Sequence, residues 1–181
     1  MVSNDVLKAI KERRSPIHYK STPIPDDKLG AILEAGQWAP SWVNSQPWNF
    51  IVVTDPGTKK KLNEAAATIL GRGIEEAPVI VAVTADTKKD PHHFVEDCAA
   101  ATQNMALAAH SLGYGSYWVG VYDIRNEKGS SEEKIKDLLK VPATHRVISL
   151  LPIGEASDIP TKTRKPLKEI VSRDQFGKSW T

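Results

Sequence analysis

Apolar residues follow two spacings along the chain, one helical and one strand-like. Near the amino terminus Val6, Leu7 and Ile10 share one face of a helix predicted over residues 5–13, with Ser3, Asn4 and Asp5 all able to cap it. Ser15-Pro16 stops that helix, because the residue before proline is pushed out of the α region. Pro23-Ile24-Pro25 reads as a rigid extended piece, and Asp26 as the cap of a second helix to about residue 37. Leu29, Ile32, Leu33 and Ala35-Gly36 keep helical spacing there. Ala39-Pro40-Ser41 ends it and opens a polar loop to Pro47. Four runs rich in Val, Ile or aromatics then predict strands at residues 48–54, 78–85, 115–121 and 146–154. Helical stretches at 56–70, 92–112 and 131–139 separate them. The middle one carries Ala99, Ala100, Ala101, Met105, Leu107 and Ala108 on more than one face, the pattern of a helix buried in a core or against a partner.

Strands alternating with helices over 181 residues predict a single domain, 1–181, built as an α/β or mixed α+β sandwich with helices on both faces of one sheet. No repeat or linker divides it. No apolar run approaches the ~18 residues of a membrane span, and the opening residues lack the basic head and apolar stretch of a secretory signal. A cytoplasmic location is expected. Twenty-four Lys+Arg against 22 Asp+Glu leave a net charge of +2, which does not call for nucleic acid or an anionic membrane. The single cysteine, Cys98, excludes an intrachain disulfide and suits a reducing compartment.

Most active-site signatures are missing: there is no P-loop, no nucleophile elbow and no zinc-protease helix. Gly113-Tyr114-Gly115 lies between a helix and a strand, the wrong order for a dinucleotide turn. Cys98 reads as a buried structural thiol. His92, His93, Glu96 and Asp97 could approach a metal, but a solvated helix start explains them as well, and no metal site is expected. Lys59-Lys60-Lys61 reads as a solvated face, and His18, His110 and His145 show no partner in the sequence. Two segments ask for more. In Glu12-Arg13-Arg14-Ser15, two guanidiniums beside a hydroxyl suit a phosphate-bearing ligand, or else complete a helix C-terminus. Residues 39–48 pack two prolines, two tryptophans, Asn, Gln and two serines into ten positions, a mixture suited to lining a planar, hydrogen-bonding ligand.

Arg13-Arg14-Ser15, followed about 25 residues later by Ala39-Pro40-Ser41-x-x-Asn44-x-Gln46-Pro47-Trp48, resembles the nitroreductase family of FMN enzymes. The likeness continues through Ala77-Pro78-Val79, Gln103-Asn104, Trp118-Val119-Gly120, Pro152-Ile153-Gly154 and Lys162-Thr163-Arg164-Lys165-Pro166-Leu167. It implies an α+β fold, an α/β/α sandwich whose central, mostly antiparallel sheet is flanked by helices, and an interlocked homodimer with FMN at the subunit interface. Arg13 and Arg14 would then sit by the phosphate and pyrimidine edge, with Ser15 near the ribityl chain. Pro40, Ser41, Trp42, Asn44 and Gln46 would line the flavin from the other subunit. Val119 and Gly120 would offer backbone N–H groups toward flavin N5, while Lys162 and Arg164 would neutralise the phosphate. The tail from Ile159, with Phe176 and Trp180, would embrace the partner. NADH or NADPH would give hydride to flavin N5, and a nitro, quinone or related conjugated acceptor would take it, with no catalytic side chain required. A specialised branch of the superfamily, such as a dehalogenase, and a non-catalytic flavin-storage protein are the alternatives. Two departures stand out. Pro16-Ile17-His18 replaces the basic residue that many relatives carry after Arg-x-Ser, and the chain leaves little room for a substrate-covering insertion.

Overall fold

The computed structural model describes residues 2–69 and 73–180. Helix α1 (Asp5–Glu12) begins where the Asn4 side chain accepts the Leu7 N–H at 2.8 Å, so Asn4 is the cap among the three candidates. Helix α2 (Asp26–Gln37) has Pro25 at its cap with no side-chain bond, which corrects the assignment of that role to Asp26. Asp26 and Asp27 instead occupy the first turn, where their charge meets the positive end of the helix dipole. Gly36 lets α2 approach its neighbour closely: a Cβ there would meet the Met105 side chain at 2.8 Å and Phe50 at 3.0 Å.

Strand β1 (Trp48–Val53) leads into α3 (Pro56–Ala65), which Asp55 caps by accepting from the Thr58 N–H and hydroxyl. The helix predicted to residue 70 ends earlier, at Ala65, and breaks into a 3-10 turn at Ala67–Ile69; residue 70 lies outside the described residues. Strand β2 (Val79–Asp86), helix α4 (Phe94–Ser111), strands β3 (Gly115–Ser116) and β4 (Val119–Gly120), helix α5 (Ser131–Leu139) and strand β5 (His145–Gly154) complete the order. Helix α4 starts two residues later than predicted because Asp90 accepts the His92 and His93 N–H groups, each at 2.9 Å, and holds them in a turn.

Every ladder is antiparallel, in the order β1-β2-β5-β3, with β4 also paired to β5. The strand predicted over 115–121 is two short strands. Ser116 faces Ile153 and Val119 faces Leu150, so three residues advance on each side and the register holds across the break. The interruption at Tyr117-Trp118 is therefore a loosened edge, not a slip.

The alternation of β2 divides the core into two layers. Val79, Val81, Val83 and Ala85 meet α2 and α4 through Ile32, Phe94, Cys98, Met105, Ala106 and Ala109. Ile80 and Ala82 meet α3 and α5 through Leu62, Ala66 and Ile135. A bulge opposite Val83/Thr84 shifts the alternation of β5, so Val147 and Leu150 both reach the second layer. The result is the α+β sandwich with a fully antiparallel sheet. Cys98 sits in the first layer, its thiol 3.7 Å from the Thr84 carbonyl; burial pushes its pKa up to about 12, which makes it inert.

One surface expectation is overturned. Lys59 does not belong to a solvated face: it is buried, and its ammonium donates to the Ala77 carbonyl at 2.7 Å. Helical spacing puts it on the same face as Leu62 and Ala66, so its stem packs while its head finds a backbone acceptor. Lys60 and Lys61 are exposed, as expected.

Candidate active site: a cationic cleft and a strained loop

After α1 the chain runs extended, and after β5 it returns beside that same stretch. Tyr19 bridges Ala156, the Lys20 N–H reaches the Glu155 carbonyl at 2.9 Å, and the Ser157 N–H reaches the His18 carbonyl at 3.0 Å. This pairing brings two remote basic segments together. Arg13, Arg14, Ser15 and Ile17 line one cleft of about 340 Å³ with Asp158, Lys162 and Arg164. The Arg13 guanidinium donates to Ser15 Oγ at 3.2 Å. Arg14 donates to the Lys11 and Arg13 carbonyls at 2.7 and 2.9 Å, completing the helix C-terminus as the structural reading of this segment allowed. Among the described residues, none of the four cations has a carboxylate within ion-pair distance. Burial lowers the Arg13 pKa first, and the charges of Arg164 and Arg14 lower it further. Asp158 is the one acid in the lining against four cations, so crowded guanidiniums beside a hydroxyl keep an excess of positive charge there, and the donor set fits a phosphate monoester.

The polar loop is a separate unit; Pro40, Ser41, Trp42, Asn44 and Gln46 do not line that cleft within one chain. Val43, Asn44 and Gln46 all have positive φ, at 45°, 59° and 47°. Such backbone costs an L-residue roughly 1–2 kcal/mol, and a β-branched residue such as Val43 is least suited to it. Several bonds offset the strain. The Asn44 N–H reaches the Ser41 carbonyl, the Ser45 N–H the Trp42 carbonyl, and the Gln46 N–H Ser41 Oγ. Asp97, in the first turn of α4, accepts the Trp42 N–H at 3.0 and 3.2 Å and the Ser45 hydroxyl at 3.3 Å. Burial raises the Asp97 pKa, and those two donors only partly pull it back. The Trp42 indole stacks on His93 with centroids 4.7 Å apart and planes 19° apart. His93 Nδ1 stands 3.4 Å from the buried Asp90 carboxylate.

Val119 and Gly120 lie on the edge strand β4. The Tyr117 and Val121 N–H groups donate to the Pro152 and Ile148 carbonyls, so by strand alternation Val119 donates to β5 and the Gly120 N–H points to the open edge. Gly120 is exposed and Val119 is buried. Two of the three histidines without a partner in the sequence gain one: His18 meets Glu76 at 3.2 Å, and His145 meets Thr144 and Asn49. Among the described residues no group of three or more His, Cys, Asp or Glu could hold a metal ion.

The family model described as the Nitroreductase family matches residues 10–73 and 66–155. The chain belongs to the nitroreductase family. A protein of Methanothermobacter thermautotrophicus, provisionally named NADH dehydrogenase/NAD(P)H nitroreductase, is 37% identical over 158 residues, 86% of this chain and 80% of that protein. The FMN reductase [NAD(P)H] of Bacillus subtilis strain 168 is 30% identical over 193 residues, covering 95% of this chain and 74% of its own. Among solved structures, an FMN-dependent nitroreductase from Clostridium difficile R20291 superposes with a TM-score of 0.85 at 29% identity, covering 93% of this chain and 98% of its own. Asp97 holds the loop directly and Asp90 only by way of His93, neither of them marked as a loop partner by any feature of the sequence. They lie about 50 residues beyond it, and no local pattern links them.

Proposed function

We propose that this nitroreductase, as a homodimer, passes reducing equivalents from NADH or NADPH through FMN to a nitro, quinone or related conjugated acceptor. The chain is an NAD(P)H-dependent oxidoreductase of the nitroreductase type, and FMN is its cofactor. The observation that carries the site is the cleft where Arg13, Arg14 and Ser15 meet Lys162 and Arg164, four cations against one lining carboxylate, Asp158, with no ion pair formed among the described residues. When bound, FMN supplies a hydride carrier whose reacting position is N5. The chain's own residues do the rest. Arg13, Ser15, Lys162 and Arg164 hold the phosphate end. Pro40, Ser41, Trp42, Asn44 and Gln46 of the partner line the ring and exclude water. The edge N–H of Gly120 orients it, with Val119 buried behind as the strand's anchor. No side-chain acid, base or nucleophile is needed, in keeping with the inert Cys98.

The phosphate assignment has a direct test. Arg164→Gln is expected to weaken FMN binding about tenfold or more, the scale of a lost charge-assisted contact, and to leave riboflavin binding unchanged. Equal weakening of both ligands would show that the cleft does not hold the phosphate.

A further inference from the structure

We propose that Asp97 is the positioning residue of the 41–46 loop: through Trp42 and Ser45 it fixes the shape in which the loop presents its outer face to a ligand. The proposal rests on the reading of that loop as the ring-lining wall of the FMN site. The internal bonds of the loop close it on itself but tie it to nothing else. Two further donors of the loop, the Trp42 N–H and the Ser45 hydroxyl, both point at one carboxylate 52–55 residues away in sequence, while the Gln46 carbonyl accepts a longer bond, 3.5 Å, from Lys89 Nζ. That carboxylate is 6% exposed, on a helix seated in the core by Phe94 and Cys98. A second clamp comes from the same end of α4, where His93 stacks on the Trp42 ring and faces Asp90. The loop thus has an inner side, Ser45 and Pro47, held by the scaffold, and an outer side, Trp42, Val43, Asn44 and Gln46, left exposed.

The carboxylate suits this task because it accepts both donors at once. Without it, a half-buried N–H loses its acceptor and left-handed Val43 is free to return to ordinary backbone. The Asn44 and Gln46 amides would then move with the segment that carries them.

The test combines FMN titration, near-UV circular dichroism and thermal unfolding of the apoprotein. Asp97→Ala is expected to weaken FMN binding about tenfold or more and to remove the part of the dichroism that Trp42→Phe abolishes, while unfolding stays cooperative. Asp97→Asn keeps an acceptor for the Trp42 N–H and a donor for Ser45 Oγ, and should restore both signals to within about threefold. Ser45→Ala should have a smaller effect that disappears in the Asp97→Ala background, since Ser45 acts through Asp97. Wild-type FMN affinity in Asp97→Ala, no rescue by Asn, or a full additive effect of Ser45→Ala would each overturn the proposal. A wild-type chain unable to bind FMN would overturn the proposed function instead. The dichroism and the Ser45 coupling, read then in stability, would still decide whether Asp97 positions the loop.

Discussion

At the residue scale, the site is a set of charges managed in opposite ways. Among the described residues the cleft cations form no ion pair, although Asp158 lines their cleft, whereas Asp90 Oδ1 accepts two backbone N–H groups and its Oδ2 is buried without a partner. Burial pushes the Asp90 carboxyl up, but the N–H groups of His93 and His92 and the nearby His93 imidazole outweigh it and hold its pKa below the ordinary value. A carboxyl depressed in the folded state stabilises the protein above its unfolded pKa, and that contribution is lost as pH falls through the folded value. Asp90→Asn should therefore lower the Tm at neutral pH, with the gap to wild type closing as pH drops below about 4. A gap independent of pH would contradict this account of the turn before α4.

At the element scale, most of the fold was legible. Strands β1, β2 and β5 are Val- and Ile-rich runs, and all three lie within a residue or so of their predicted bounds. The break between β3 and β4 was not legible, because Tyr117 and Trp118 are good strand formers and the register hides the interruption. Lys59 was misread by chemistry, although its spacing from Leu62 and Ala66 carried the correct signal. The cleft was half legible: Arg13-Arg14-Ser15 and Lys162-x-Arg164 each stood out, but only the pairing of residues 18–20 with 155–157 joins them. That junction rests on a neighbour. Gly73 has φ 69°, and a Cβ there would collide with the Ile17 carbonyl. Gly73→Ala should cost about 2 kcal/mol or more, read as a lower urea midpoint, since both strain and a backbone clash must be relieved. An unchanged midpoint would mean that Gly73 does not pack on the Ile17 segment as described.

At the scale of the whole molecule, a single chain leaves large apolar groups bare. Val6, Ile10 and Trp38 are 65%, 51% and 78% exposed, and Val6 and Trp38 border a groove of about 420 Å³ with Leu107 and Ala108. The tail adds Leu167, Ile170, Phe176 and Trp180. Monomers seldom carry so much uncovered apolar surface, and the half-exposed Leu107 and Ala108 of α4 belong to it. The proposed homodimer would cover it. Sedimentation equilibrium should then return about twice the 19.9 kDa chain mass, and a monomer at micromolar concentration would contradict the dimer.

The central claim is that this chain holds FMN and reduces it with NAD(P)H. The most direct measurement is the visible spectrum of the protein loaded with FMN, desalted, and then given NADH or NADPH without oxygen. The account predicts retained yellow bands that bleach within seconds and return when a quinone or nitro compound is added. A colourless protein after desalting, or bound flavin that stays yellow with both nicotinamides, would contradict it.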